Sequence, residues 1–139
     1  MFGSPPVDFE DEELIVNMVD TDMKTIHLTT PVKHKHISTS FKRPDGEVID
    51  LSGEVALLSR NVKIQGDASS EEHNWGGHTM NAFGGVYRIE NAEFYRMGQT
   101  AELSRYPIHF HVARDWGKQG YVKHNSIHNS YQRAVTIHA

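Results

Sequence analysis

The sequence contains no cysteine, so disulfide bonds are excluded and redox chemistry gives no indication of the compartment. It has no Asn-x-Ser/Thr glycosylation motif and no apolar run long enough to cross a membrane. The first residues are acidic rather than apolar, which predicts a start without a secretion signal. Basic residues are scattered and the net charge is −4, so nucleic acid is not expected as a partner, since nucleic-acid-binding proteins usually concentrate their basic residues on one face.

Helical patterns are scarce as well, whereas short runs of alternating apolar and polar residues, typical of β-strands, are common. Clear runs lie at 14–18, 55–64, 107–112 and 133–138, and Gly, Asn or charged residues separate them. The last run reaches the C-terminus, and a finished domain rarely ends on an uncovered strand. We therefore expect a truncated chain that pairs with adjoining β-helix rungs or with another protein chain.

Histidine is the residue in excess, with ten in 139 positions, and two of the alternating runs end in it. His111 and His138 are 27 residues apart, and His78 lies 33 residues before His111. Periods of this size are typical of the turns of a β-solenoid, in which each rung stacks on the last. A β-sandwich built from the same strands is the structural alternative.

The solenoid interpretation decides which side chains point inward. Alternate side chains of a strand lie on opposite faces, so the apolar residues of the two runs that carry histidine are predicted to be buried: Ile108, Phe110, Val112, Val135 and Ile137. The histidines of the same runs then face away from that core. Stacked rungs lie about 4.8 Å apart, so we expect His111 and His138 to be neighbours on the outer surface.

Four stretches of the sequence carry a resemblance to a known family. "GEVALLSRNVKIQG", "EFYRMGQ", "RYPIHFHV" and "SIHNSYQRAVTIH" resemble the G8-domain and parallel β-helix proteins, which include fibrocystin-L-type and hyaluronidase-type surface proteins. The resemblance extends over residues 12–139 and implies an all-β fold. It implies a right-handed parallel β-helix fragment over residues 53–139, preceded over residues 1–52 by an acidic lead-in and the end of a G8-like β region.

The resemblance also implies a location and two functional classes. The location is extracellular, or at the cell or ciliary surface. The first class is a carbohydrate-interacting segment, hyaluronan-binding or hyaluronan-degrading, whose partner is a polysaccharide or glycoprotein. The second is a non-enzymatic structural or adhesion rod in a surface or ciliary assembly. An enzyme would concentrate its titratable groups in one groove and bind an ion, whereas a rod would spread those groups.

The histidines are the candidate metal ligands. An H-x-H pair on a strand places two imidazoles on one side, and a third from the next rung would complete a three-histidine site with an open position. The preferred set is His109, His111 and His138, with His78 as a fourth ligand or a supporting contact. The metal expected is a divalent transition ion such as zinc. The alternative is that these histidines only form hydrogen bonds between rungs.

The charged residues near the histidine strand are the candidate catalytic groups. Asp115 and Arg105 flank the strand, and a carboxylate beside a groove can act as a general acid or base in glycoside cleavage. The common route needs two carboxylates at a defined separation, and the sequence identifies no such pair. Glu90, Glu93 and Glu102 are interpreted as solvated charges at strand edges.

Three further residues are candidate contacts to a polysaccharide. Arg60 and Arg133 suit an acidic sugar, because a guanidinium group pairs with a carboxylate through two hydrogen bonds. Trp116 could stack on a sugar ring. The alternatives are structural salt bridges for the two arginines and packing over the end of a rung for the tryptophan.

Overall fold

The computed structural model describes residues 10–138, which divide after Val55 into two compact units. The boundary expected from the sequence lies between residues 52 and 53. The first unit contains four strands: β1 (Val16–Asp20), β2 (Thr25–Leu28), β3 (Ser40–Lys42) and β4 (Val48–Asp50). They form two antiparallel hairpins, β1 with β2 and β3 with β4. Among the described residues, no helix has the length and apolar character that a bilayer span requires.

One carboxylate of the first unit binds the segment that joins its two hairpins. Glu12 accepts hydrogen bonds from the backbone N–H groups of Lys33, at 2.8 and 3.1 Å, and His34, at 2.9 Å, and its side chain also contacts the ring of His36. The backbone N–H groups of His34 and Lys33 lower the pKa of Glu12 to about 2. The "KHKHIS" segment is therefore held by a structural carboxylate.

The second unit is a parallel β-helix. Its elements are β5 (Val62–Gln65), α1 (Ser69–His73), β6 (Thr79–Ala82), β7 (Arg88–Glu90), β8 (Ala92–Tyr95), β9 (Ile108–His111), a 3₁₀ helix (Arg114–Gln119), β10 (Tyr121–Lys123), β11 (Ser126–His128) and β12 (Val135–His138). They form three parallel sheets, β5–β8–β11, β6–β9–β12 and β7–β10. A chain that visits three sheets in turn and then returns to the first is a coil of stacked rungs. The all-β, β-helix prediction is confirmed, and the sandwich alternative is wrong.

The interior of the coil is filled by apolar side chains from all three sheets. The buried cluster consists of Ile89, Ala92, Phe94, Met97, Ile108, Phe110 and Ala113. Ile108 and Phe110 are buried as predicted. Val112 is only partly buried, and Val135 and Ile137 are 38% and 71% exposed, so the prediction is wrong for these three. The reason for the last two is that β12 is the outermost strand of its sheet, and no described strand stacks on its far side.

Asparagine stabilises the corner between two sheets. The side-chain oxygen of Asn125 accepts a hydrogen bond from the backbone N–H of Ala92 at 2.9 Å, and its amide donates to the carbonyl of Ile89 at 3.1 Å. The corner residues Asn91 and His124 have positive φ angles of 56° and 55°. Asn125 thus satisfies turn backbone of the neighbouring rung, as expected for an asparagine at a turn.

Glu93 is a correction to the sequence interpretation, because it is buried rather than solvated. Its side chain is 5% exposed on the outer face of β8, where it accepts hydrogen bonds from Lys63 at 2.7 Å and from the backbone N–H of Arg60 at 3.2 Å. The ring of His128 lies 3.1 Å away. Burial alone would raise the pKa of Glu93, but these hydrogen bonds outweigh it and lower the pKa below the usual value. Donors from neighbouring rungs therefore compensate the buried charge.

We expect Glu93→Gln to lower the free energy of unfolding by about 1–3 kcal/mol, since it leaves buried donors without a charged acceptor. Because the pKa of Glu93 is lowered in the folded state, its stabilisation is present at neutral pH and is lost as the pH falls below about 4.3. Denaturant unfolding at pH 7 and pH 3 measures both effects. The control is Glu90→Gln, whose partly exposed pair with Lys123 should contribute at most about 1 kcal/mol. Equal effects of the two substitutions would contradict a structural role for Glu93.

Candidate metal centre

Strands β9 and β12 place three histidines on the outer face of one sheet. In β9, Ile108 and Phe110 point into the core, so His109 and His111 lie on the opposite face. The two strands pair in parallel and in register, with His138 beside His111 and Thr136 beside His109. The predicted neighbour relation between His111 and His138 is confirmed.

The ring nitrogens of these three residues lie close together. Nε2 of His138 lies 2.8 Å from Nε2 of His109 and 3.1 Å from Nδ1 of His111. One candidate ligand atom from each residue lies within 4.8 Å of the other two. Nitrogens bound tetrahedrally to zinc at 2.0–2.1 Å are about 3.3 Å apart. The two contacts of His138 are therefore near the separation that one ion requires.

The three rings have few hydrogens available for their close nitrogen–nitrogen contacts. The carbonyl of Ser104 lies 3.2 Å from Nδ1 of His109 and accepts its hydrogen, which leaves a lone pair on Nε2 of a neutral ring. In neutral rings, one hydrogen at most serves both contacts of His138, to His109 and to His111. A hydrogen on Nε2 of His138 must be shared between two acceptor nitrogens, which weakens each contact. A metal ion bound by all three nitrogens would replace these weak contacts.

Burial favours the neutral, ligand form of His109. Desolvation lowers the pKa of His109 below its usual value, and the nearby His138 and His111 lower it further, against the opposing effect of the Ser104 carbonyl. That carbonyl also fixes the orientation of the ring. A backbone acceptor on the far nitrogen is the arrangement commonly found behind metal-bound histidines.

The exposure of the three histidines differs. His109 is completely buried, because the loop of residues 99–107 covers it, and the ring of Tyr106 packs edge-on against it at 4.9 Å. His109 therefore faces away from the core as predicted, but the expectation of an outer surface position is wrong for it. His111 is half-buried and His138 is exposed, so the cluster opens to solvent on their side.

His78 does not join the three. Strand β6 pairs with β9 so that Ala82 lies beside His111 and Met80 beside His109. His78 is therefore not in register with His111, despite the 33-residue spacing. The ring of His78 lies instead 3.4 Å from Nη1 of Arg105, and its pKa is lowered by burial and by that positive charge.

The candidate catalytic residues are not close partners of the histidine cluster. Asp115 lies on the 3₁₀ helix, its side chain is 89% exposed, and it pairs with Lys118 at 2.6 Å. Arg105 contacts His78. Neither residue is a hydrogen-bond or ring partner of the three histidines among the described residues, so a catalytic role for them has no geometric support.

The candidate ligand-binding residues have different environments. The guanidinium of Arg60 donates to the backbone carbonyls of Leu57, Ser59 and His124 at 2.6–3.1 Å, so it is used in the fold. Arg133 is exposed on the surface. Trp116 is 53% exposed and lies over Gly84, with three indole atoms 3.6–3.8 Å from the position of a Cβ added there. Trp116 therefore keeps part of its ring available for contact.

Four residues of the site escaped the sequence interpretation. Ser104 and Tyr106 reach His109 from a loop, and no local pattern indicates that contact. Thr136 could have been found, because it alternates with His138 in the same strand. Its Oγ1 is buried without a hydrogen-bond partner. Phe83 packs edge-on to His111, with ring centroids 6.4 Å apart.

Comparison with known proteins agrees with this architecture. The model of the CEMIP β-helix family matches residues 74–139, which contain all three histidines. Mouse fibrocystin-L is 31% identical over 93% of the chain, and a G8 domain-containing protein of Dictyostelium discoideum is 34% identical over 94%. The human cell migration-inducing and hyaluronan-binding protein is 33% identical over 65% of the chain.

The chain covers only a small part of the length of each of these relatives. The chain spans 4% of the fibrocystin-L sequence, 11% of the Dictyostelium protein and 8% of the human protein. No solved structure matches it. The chain belongs to the G8-domain and parallel β-helix proteins.

Proposed function

We propose that His109, His111 and His138 bind one divalent transition metal ion, with zinc the first candidate. The observation that carries this proposal is the grouping of three ring nitrogens, with Nε2 of His138 at 2.8 Å from His109 and at 3.1 Å from His111. Imidazole ligands favour zinc, copper or nickel over calcium. Ser104 would orient His109, and the exposed side of His138 would leave a further coordination position accessible to solvent.

Three neutral ligands would leave the charge of the ion uncompensated. A bound ion of this kind acts as a Lewis acid and lowers the pKa of a bound water. The uncompensated charge also attracts anions, and a carboxylate-bearing sugar is an anion of suitable chemistry.

The ligand proposed for this face is an acidic polysaccharide of the hyaluronan type. Support comes from the relatives, one of which is named a hyaluronan-binding protein and another a cell surface hyaluronidase. The parent protein would then act at the cell surface or outside the cell. We propose binding rather than cleavage, because the structure shows no carboxylate among the partners of the three histidines in residues 10–138. A structural or adhesion rod is the alternative if no ion binds.

The metal proposal is tested by zinc titration of the purified chain with calorimetry and native mass spectrometry. We expect one zinc ion per chain and, by X-ray absorption, at least three nitrogen ligands at about 2.0–2.1 Å. His78→Ala should retain this binding, because His78 lies outside the cluster. Absence of zinc, copper and nickel binding would assign the histidines a purely structural role and favour the rod.

The polysaccharide proposal has a separate test. Zinc-loaded protein should bind a hyaluronan octasaccharide more tightly than an uncharged chito-oligosaccharide of equal length, and a chelator or added salt should weaken the binding to the charged sugar. Equal affinity for both sugars, unaffected by the chelator, would contradict a role of the ion in sugar recognition while leaving the metal site intact.

A further inference from the structure

Phe83 is exposed beside the histidine cluster in a conformation that needs an explanation. It is 80% exposed, although large apolar side chains are normally packed, and its ring partner among the described residues is the half-buried His111. Its φ angle is 39°, in the left-handed region that phenylalanine rarely adopts. Ten other described non-glycine residues also have positive φ angles, so Phe83 is distinguished by combining such a conformation with a large exposed ring.

A second aromatic ring lies next to this residue. The indole of Trp116 covers Gly84, the residue that follows Phe83, and about half of Trp116 remains exposed. Gly84 has a φ angle of 76° and no side chain, so the turn allows the indole to approach the backbone closely. The Phe83–Gly84 turn therefore carries one exposed ring beside His111 and is covered by a second exposed ring, that of Trp116.

We infer that Phe83 and Trp116 form an aromatic platform that binds the apolar face of a sugar ring next to the three-histidine centre. The inference rests on the proposed polysaccharide function and names the residues that would select a sugar. A pyranose ring has an apolar face of C–H groups and a polar rim, which suits partly exposed aromatic rings. Continuity with His111 would allow a neighbouring acidic sugar of the same chain to reach the ion.

Trp116 supplies a direct reporter for this contact. The sequence has two tryptophans, so Trp75→Phe leaves Trp116 as the only indole. In zinc-loaded Trp75→Phe protein, a hyaluronan octasaccharide should shift the indole emission to shorter wavelength, because the sugar displaces water from the ring. The matched control is Trp116→Phe, which leaves the similarly exposed Trp75, 49% exposed, and should show no shift.

Phe83→Gly separates binding from folding. Glycine tolerates a φ angle of 39° without strain, so the melting temperature should stay equal or rise. In zinc-saturated protein, octasaccharide affinity should fall about five- to tenfold through loss of the stacking surface. Phe83→Tyr should retain the affinity of the unsubstituted chain.

The outcomes distinguish this inference from the proposed function. If the octasaccharide binds but Trp116 emission and the affinity of Phe83→Gly are unchanged, the platform is wrong and the polysaccharide function stands. If Trp116 responds to the sugar in a protein that binds no metal, the platform is right and the metal proposal is wrong. If neither the charged nor the uncharged sugar binds, both the platform and the polysaccharide function are wrong.

Discussion

Phe110→Ala is expected to lower the free energy of unfolding by about 3–5 kcal/mol, as measured by denaturant titration of the purified chain. Phe110 is 4% exposed in the centre of the coil, and its ring packs against Tyr87 with centroids 5.4 Å apart. The backbone at Gly120 approaches so closely that a Cβ there would lie 2.8 Å from the Phe110 ring. Neighbours held by stacked rungs cannot collapse into the space that the ring leaves, so the cavity cost should be near its full value.

The matched control is Phe83→Ala, which removes the same atoms from a side chain that is 80% exposed. It should change the free energy of unfolding by less than about 0.5 kcal/mol. Similar losses for the two substitutions would mean that Phe110 is not in a closed core. A loss below about 1 kcal/mol at Phe110 would mean that the coil relaxes around the cavity.

Strand alternation was sufficient to predict the part of the site that lies on β9 and β12. Ile108 and Phe110 are strongly apolar, so they fix the inner face of their strand, and the histidines between them must lie outside. The same rule applied to β12 places His138 on the outer face. Once the two strands stack, the pairing of His111 with His138 follows from equal positions in two similar strands.

The 33-residue spacing did not reveal the position of His78, because β6 has polar residues inside the coil. Thr79 and Asn81 lie in register with Ile108 and Phe110, and both are satisfied locally. The hydroxyl of Thr79 donates to the carbonyl of Pro107, and the amide of Asn81 donates to the carbonyl of Gly85. Sequence alternation alone gives no signal for inward polar residues whose partners lie in loops, so the register of this rung could not be derived.

Burial of outward side chains was the other property that the sequence did not reveal. His109 is covered by a loop that contains two positive φ angles, 63° at Ala101 and 69° at Ser104, and such loop geometry has no periodic pattern. Glu93 pairs with Lys63 and contacts His128, which are distant in sequence and adjacent only after the rungs stack. In a solenoid, the environment of an outward residue depends on neighbouring rungs and loops rather than on its own strand.

His109→Gln is expected to reduce zinc affinity by at least about 100-fold, since removal even of a supporting contact behind a ligand commonly costs 10- to 100-fold. His109 is the buried member of the cluster, and its ring is oriented by Ser104. Because the bound form requires neutral imidazoles, zinc affinity of the unsubstituted chain should also fall as the pH drops below about 6.5. Calorimetric titration at pH 7.5 and pH 5.5 measures both effects.

Thermal unfolding gives a second readout of the same substitution. A ligand that binds only the folded state at 100 times its Kd adds about 2.7 kcal/mol of stability, so zinc should raise the melting temperature of the unsubstituted chain and leave that of His109→Gln unchanged. The matched control is His128→Gln, because His128 is also largely buried on an outer face, with 13% of its side chain exposed, but pairs with Glu93. This control should be less stable than the unsubstituted chain, because its contact with Glu93 is lost. Zinc should nevertheless raise its melting temperature as much as it raises that of the unsubstituted chain. If zinc stabilises His109→Gln as much as it stabilises the unsubstituted chain, the ion binds elsewhere, and the three converging imidazoles serve only to join adjacent rungs.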